Sequence, residues 1–378
     1  MCIRDRVIDG MAKVVVPSVS AGTHDFIVNY SGDDKYDKST VNGTIKVNKK
    51  SATLIVEDLV KYYKGDEKLT AKLVDGRGNP IANADVAFNI NGKDYIRKTN
   101  NEGIASMNIN LVAGTYNVAV KYNESSVNVT VTVKSTIVAD DLVKMYQNAT
   151  RFYAKFMGSD GKVLANTQVK FNIHGVFYTK TTNNDGVADL GIMLRPGTYI
   201  LTAYNPVTGE QQGFNITVKS LIVQNDLTKY YMNASKFQAT IYDKNGSLAV
   251  NKNVTFNIHG VFYTRTTDEN GVVSLGISLR PGEYVITTMY EGLDLGNTVT
   301  VLPTLITHDL NMKYMDGSNF TAQTLDGQGN PLANQNVSFN VNGVFYHKVT
   351  DDNGFASLTI RLMSGCLLYT SPSPRDTR

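Results

Sequence analysis

The residues with the most chemical potential are two histidines. His174 sits in "FNIHGVFYTKTTNNDG" (171–186) and His259 in "FNIHGVFYTRTTDENG" (256–271). A histidine between a strand and an acidic turn could ligate a metal or serve as a general base. Carboxylates recur too. Glu57-Asp58 and Asp140-Asp141 could hold calcium between units, and the turns "NNDG", "DENG" and "DDNG" could do so with side-chain oxygens. Lys61, Lys144 and Lys229 share one register, as a lysine forming an isopeptide crosslink would require.

What must position these residues is a repeated unit. Phe88, Phe171, Phe256 and Phe339 recur at intervals of 83, 85 and 83 residues. An apolar anchor lies nineteen residues before each (Leu69, Phe152, Phe237, Phe320), and an aspartate eleven before that (Asp58, Asp141, Asp226, Asp309). Glycines follow each Phe at fixed distances: Gly103, Gly186, Gly271 and Gly354, then Gly114, Gly197, Gly282 and Gly365. Only the last quarter varies, as "YNPVTGEQQGF" beside "YNESSVN" shows; such variation marks a loop. In "GVADLGIML", Ala188, Leu190, Ile192 and Leu194 fall on one face at period two, a half-buried strand and not a helical stripe. About seven strands per unit and no helix predict an all-β chain of tandem Ig-like β-sandwich repeats forming an elongated array. Tyr116, Tyr199 and Tyr284 occupy the place of a corner tyrosine, while the Cys–Trp–Cys core of immunoglobulins is missing.

The expected divisions are 7–50, the C-terminal part of a repeat; full repeats 51–134, 135–219 and 220–302; and a truncated repeat, 303–365. "MCIRDR" (1–6) and "CLLYTSPSPRDTR" (366–378) share nothing with the interior and resemble translated sequencing-adapter sequence. Setting them aside removes both cysteines, Cys2 and Cys366, and with them disulfides and thiolate metal sites. Each end carries one net positive charge, so the chain's +3 falls to +1, and no basic cluster offers itself to nucleic acid. No run of about 18 apolar residues could span a membrane.

Alignment of the units answers the histidine question. Where two have His-Gly, the others have Asn91-Gly92 and Asn342-Gly343. Asn-Gly between alternating strands is a two-residue type I′ hairpin signal, with φ above zero at both positions. Histidine tolerates that conformation, and asparagine cannot act as a base. His174 and His259 are therefore turn residues. The acidic turns are too short for an EF-hand loop; Asn225-Asp226 and His308-Asp309 weaken the junctional calcium site, and Met312 breaks the lysine register. No catalytic, metal or cofactor residues are assigned. In the hairpin, Phe171 faces Tyr178 and Ile173 faces Val176, which places Tyr95, Tyr178, Tyr263 and Tyr346 in the core. Phe177, Phe262 and Phe345 point outward, where the first unit has Asp94; they form the candidate contact surface.

"YSGDDKY" (30–36) resembles the end of bacterial Ig-like repeats in large surface proteins. "DLTKYYMNASKFQATIYDKNGSLAVNKNVTFNIHGVFYTRTTDENG" and its continuation resemble repeats of adhesin-like proteins from methanogenic archaea, a likeness covering essentially all of 7–365. The resemblance implies a non-catalytic array at the cell surface or cell wall that mediates or projects adhesion. Its partners would be a surface protein or glycan and the neighbouring repeats. Eleven Asn-x-Ser/Thr sequons agree with an exported chain. The alternative is a polysaccharide-binding array appended to a cell-wall-active enzyme.

Overall fold

The computed structural model describes residues 10–14, 19–47 and 52–361; the adapter-like ends, both cysteines and Gly365 lie outside them. Every regular element is a strand. β1 (Gly22–Tyr30) and β2 (Ser39–Val47) form an antiparallel hairpin. The next stretch contains β3 (Ala52–Val56), β4 (Leu59–Tyr62), β5 (Lys68–Asp75), β6 (Asp85–Ile90), β7 (Lys93–Lys98), β8 (Ile104–Asn108), β9 (Gly114–Tyr122) and β10 (Ser125–Lys134). They make a three-stranded sheet, β3-β5-β8, packed on a five-stranded one, β4-β10-β9-β6-β7. The same pair of sheets recurs over 137–219 and 222–302. Tandem β-sandwiches are thus the fold.

The unit has eight strands, not the seven expected. The first strand breaks and changes sheet: β3 pairs antiparallel with β5, whereas β4 runs parallel to β10. Asp58 lies at the break, and its carboxylate accepts the Thr130 backbone N–H at 2.7 Å. Asp141 accepts Asn215 N–H at 2.7 Å, and Asp226 accepts Thr298 N–H at 2.8 Å. The aspartate therefore ties the crossing chain to the last strand. In the final stretch, where no such last strand is described, residues 308–313 form no strand beyond the break. Its sheets are Leu305–Thr307, Asn319–Thr324 and Phe355–Thr359 against the hairpin Asn336–Val341 and Val344–Val349.

The spaced anchor and Phe meet across the sandwich. Phe152–Phe171, Phe237–Phe256 and Phe320–Phe339 pack edge-to-face at 5.9, 6.0 and 5.9 Å. Leu69 and Phe88 fill the equivalent places and are buried. The corner tyrosines are formed: Tyr116, Tyr199 and Tyr284 donate to the carbonyls of Val112, Arg195 and Arg280 at 2.8–2.9 Å. At Gly186 (φ 75°) a Cβ would lie 2.8 Å from the Phe156 carbonyl, so the turn before strand Val187–Gly191 needs glycine.

Candidate functional site

The hairpins that carry the histidines behave as backbone devices. Asn91, His174, His259 and Asn342 have φ of 50–52°, each followed by glycine at 78–83°. The imidazoles of His174 and His259 stand edge-on to the corner tyrosines, Tyr199 and Tyr284, at 5.7 and 5.8 Å. Among the described residues neither histidine makes an ion pair with a carboxylate. Replacing His174 or His259 with Asn is expected to shift a thermal melt by less than about 0.5 kcal/mol. A loss above about 1 kcal/mol would contradict the turn reading.

The acidic turns are occupied by their own backbone. The Asn183 side-chain oxygen accepts the N–H groups of Asp185 and Val187 at 3.0 and 2.9 Å, and Asp268 and Asp351 do the same in later units. These are Asx turns, which orient the next strand. Asp58, Asp141 and Asp226 at the junctions are likewise committed, as strand-switch anchors. Asn215, through its side chain first and its backbone second, holds the Asp141 carboxyl below the usual carboxylate range. Thr298 N–H and then the Asn297 side chain lower Asp226 similarly. A carboxylate with a depressed folded pKa adds stability that is present above its unfolded value and lost as pH falls. Acid melts should therefore weaken the stretches 137–219 and 222–302 as pH drops below about 4, and Asp141→Asn should flatten that dependence in the first of them. An unchanged acid profile in Asp141→Asn would refute the anchoring role.

Two sets of residues in register, the lysines aligned above and a set of threonines that the sequence reading passed over, hold the unit together. Lys61, Lys144 and Lys229 are buried. Lys144 Nζ donates to the carbonyls of Thr150 and Ile192 at 3.2 and 2.8 Å; Lys229 donates to Ser235 and Ile277 at the same distances. Burial pushes both ammonium groups below the ordinary lysine value. The ammonium serves as a three-donor plug for carbonyls and has carbonyl partners where a crosslink would need an amide or carboxyl carbon. Thr99, Thr182, Thr267 and Thr350 are the second set, all buried. Each hydroxyl bridges the loop before the hairpin: Thr182 donates to Leu164 O at 2.5 Å and accepts Thr167 N–H at 2.9 Å. The threonines repeat at 83, 85 and 83 residues, a signal that alignment of the units could have exposed.

One expectation fails on the hairpin's inner face. Tyr178 and Tyr346 are 37% and 42% exposed, and Tyr95 and Tyr263 are only half-buried. The register is as expected, with Phe171 opposite Tyr178, and Tyr95 and Tyr263 still pack on their cores, but in the three full units the facing sheet has three strands against five and covers the edge hairpin only in part. Phe177, Phe262 and Phe345 lie on the outer face, each 62% exposed, and Phe177 meets Tyr204 at 5.8 Å.

Successive units touch through a repeated knob and socket. A Cβ on Gly161 would lie 2.4 Å from the Tyr62 ring, one on Gly329 2.4 Å from the Tyr230 ring, and one on Gly246 3.7 Å from Met145. Tyr62, Met145 and Tyr230 share one register, as do the three glycines, whose φ values of 77–87° place them at turns. Gln147 and Asn148 donate to the carbonyls of Glu291 and Lys244 at 2.9 and 2.6 Å, and Met145 and Tyr146 pack on the following unit's core.

No protein-family model matches the chain. It is 24% identical over 405 residues to the inverse autotransporter adhesin YeeJ of Escherichia coli K12, which covers 89% of this chain and 17% of that protein. The chain thus spans under a fifth of that relative's length. Among solved structures, the I9–I11 tandem of titin matches at 12% identity and a TM-score of 0.27, covering 67% of this chain and 100% of that tandem. Invasin, a bacterial integrin-binding protein, matches at 17% and 0.21, covering 83% and 75%. TM-scores at this level carry no argument about function.

Proposed function

We propose that this chain is part of a non-catalytic, extracellular adhesin-like array, in which sandwiches at 51–134, 135–219 and 220–302 act as folding units of a stalk that mediates or projects adhesion at a cell surface or wall. The observation that carries this reading is the repeated knob-and-socket junction, which fixes each unit on the next without a flexible linker. The similarity to an adhesin supports it. So does the assignment of His174, His259, Asp58, Asp141, Asp226 and the aligned lysines to structural tasks. The archaeal ancestry suggested by the residue pattern, the surface location and the adapter origin of the two ends belong to the same proposal. The alternative is a polysaccharide-binding array joined to a wall-active enzyme. Long-read sequencing of the source locus separates them. An export signal and an anchor in one frame with these repeats support the stalk; a hydrolase domain in that frame supports the alternative.

A further inference from the structure

Four residues lie in a row across the outer face of the five-stranded sheet, and the row is the same in two units. Phe177 pairs with Asn172, Asn172 with Thr202, and Thr202 with Gly213. Phe262, Asn257, Thr287 and Gly296 repeat it. The first full unit departs from this row: Asp94, Asn89, Ala119 and Asn128 stand there, and the Asn89 amide donates to Asp94 at 2.5 Å. Exchanging Asp for Phe does two things in the later units. It exposes an aromatic ring, and it leaves the Asn172 and Asn257 amides with no side-chain hydrogen bond among the described residues, although each is half-buried.

The second unit goes further. Half-buried Tyr204 stands against exposed Phe177 with the two rings tilted at 47°, an angled aromatic pair on the outer face. The chain just beyond Tyr204 is the long variable loop, and it is braced internally. Glu210 accepts both the backbone N–H and the hydroxyl of Thr136 at 2.6 Å. Asn205 donates to Thr136 Oγ1 at 3.0 Å and to the Met157 carbonyl at 2.8 Å. Thr136, Asn205, Thr208 and Glu210 are 0–6% exposed. A fully partnered buried network holds one geometry, so the loop's two ends, which close on the Tyr204–Gln211 pair, are fixed and not merely tolerated. Loops held in this way beside exposed aromatics are where scaffolds carry recognition.

From this row we infer a contact site for a neutral polysaccharide chain, centred on Phe177 and Tyr204 in the second unit and repeated more weakly at Phe262. An exposed ring offers a flat apolar face to a sugar's C–H face. An open amide and a hydroxyl at one strand spacing supply donor and acceptor to sugar hydroxyls, and Gly213 leaves the end of the row without a side chain. The row carries no charge, and Lys170, two residues along, supplies a single cation. That favours an uncharged, hydroxyl-rich ligand over an acidic one. Two copies on one chain would act together on a long polymer. The inference uses the surface-array reading only for where such a polymer would be met, and its failure leaves that reading standing.

The test is affinity electrophoresis of the full chain through gels containing hydroxyethylcellulose, mixed-linkage β-glucan or galactomannan, with polygalacturonate as the acidic probe. Retardation by at least one neutral polymer is expected. Phe177→Asp, which reproduces the residue already tolerated at Asp94, should weaken it about tenfold without shifting the thermal melt. Tyr204→Ala should weaken it independently. The proposal falls if no neutral polymer retards the chain, if both variants bind like the parent, or if only polygalacturonate binds and salt abolishes it. It falls equally if Phe177→Asp dissociates a self-associated chain and leaves polymer binding intact, because a second copy would then cover this face.

Discussion

Phe171→Ala is expected to destabilise the sandwich at 135–219 by about 3–5 kcal/mol. Phe171 is fully buried and packs against both Phe152 and Phe156 at 5.9 Å, from the facing sheet. Its loss leaves a cavity that a β-sandwich closes poorly, because the strands on both sides are pinned by their ladders. A loss of that size is a large share of a single domain's stability. In an array whose units contact only their neighbours, the damage should stay local. Region-resolved hydrogen exchange should show strands 151–156, 168–173 and 197–204 losing protection, with 52–134 and 236–302 largely retained. Uniform loss across the chain would mean that the units do not fold separately.

Lys144→Ala is expected to cost about 2–4 kcal/mol in the same unit, which is large for a lysine. The substitution strands the buried Ile192 carbonyl, frees the Thr150 carbonyl nearer the surface, and removes the packed aliphatic stem. Lys144→Met should cost less, since it keeps the stem, and the last unit carries Met312 in this register, half-buried against its core. Equal losses for Ala and Met would assign the effect to the carbonyls alone. A loss under about 1 kcal/mol for both would show that water replaces the ammonium.

Much of the fold was legible in single residues. Alternation at Ala188, Leu190 and Ile192 reported a strand because period two is what one buried sheet face imposes. Asn-Gly exchanging with His-Gly reported the φ > 0 turn, since few residues other than glycine accept that backbone. The fixed distance from Phe152 to Phe171 reflected a contact across two sheets. Other features were hidden for physical reasons. Period two says which face a residue occupies and not which sheet, so the crossing at Asp58, Asp141 and Asp226 was read as a seam between units. The hairpin register put Tyr178 on the inner face, but the width of the opposing sheet, which decides burial, is a tertiary property. The lysine register was visible as a repeat and the threonine register was overlooked; the partners of both are backbone carbonyls and N–H groups that no side-chain pattern reveals. The contact row at Phe177 joins four strands, and its members are neighbours only once the sheet is assembled.

The proposed stalk depends on the junctions being stiff. Tyr62 on Gly161, Met145 on Gly246 and Tyr230 on Gly329 are the same contact made three times, reinforced by Gln147 and Asn148 across the second junction. Small-angle scattering from residues 51–302 measures the consequence directly. A rod-like profile about three units long, broadened toward loose beads by Gly161→Val combined with Gly246→Val, is the expected result. A compact profile, with the units folded back on one another, would contradict the stalk and make a site shared between units the better explanation.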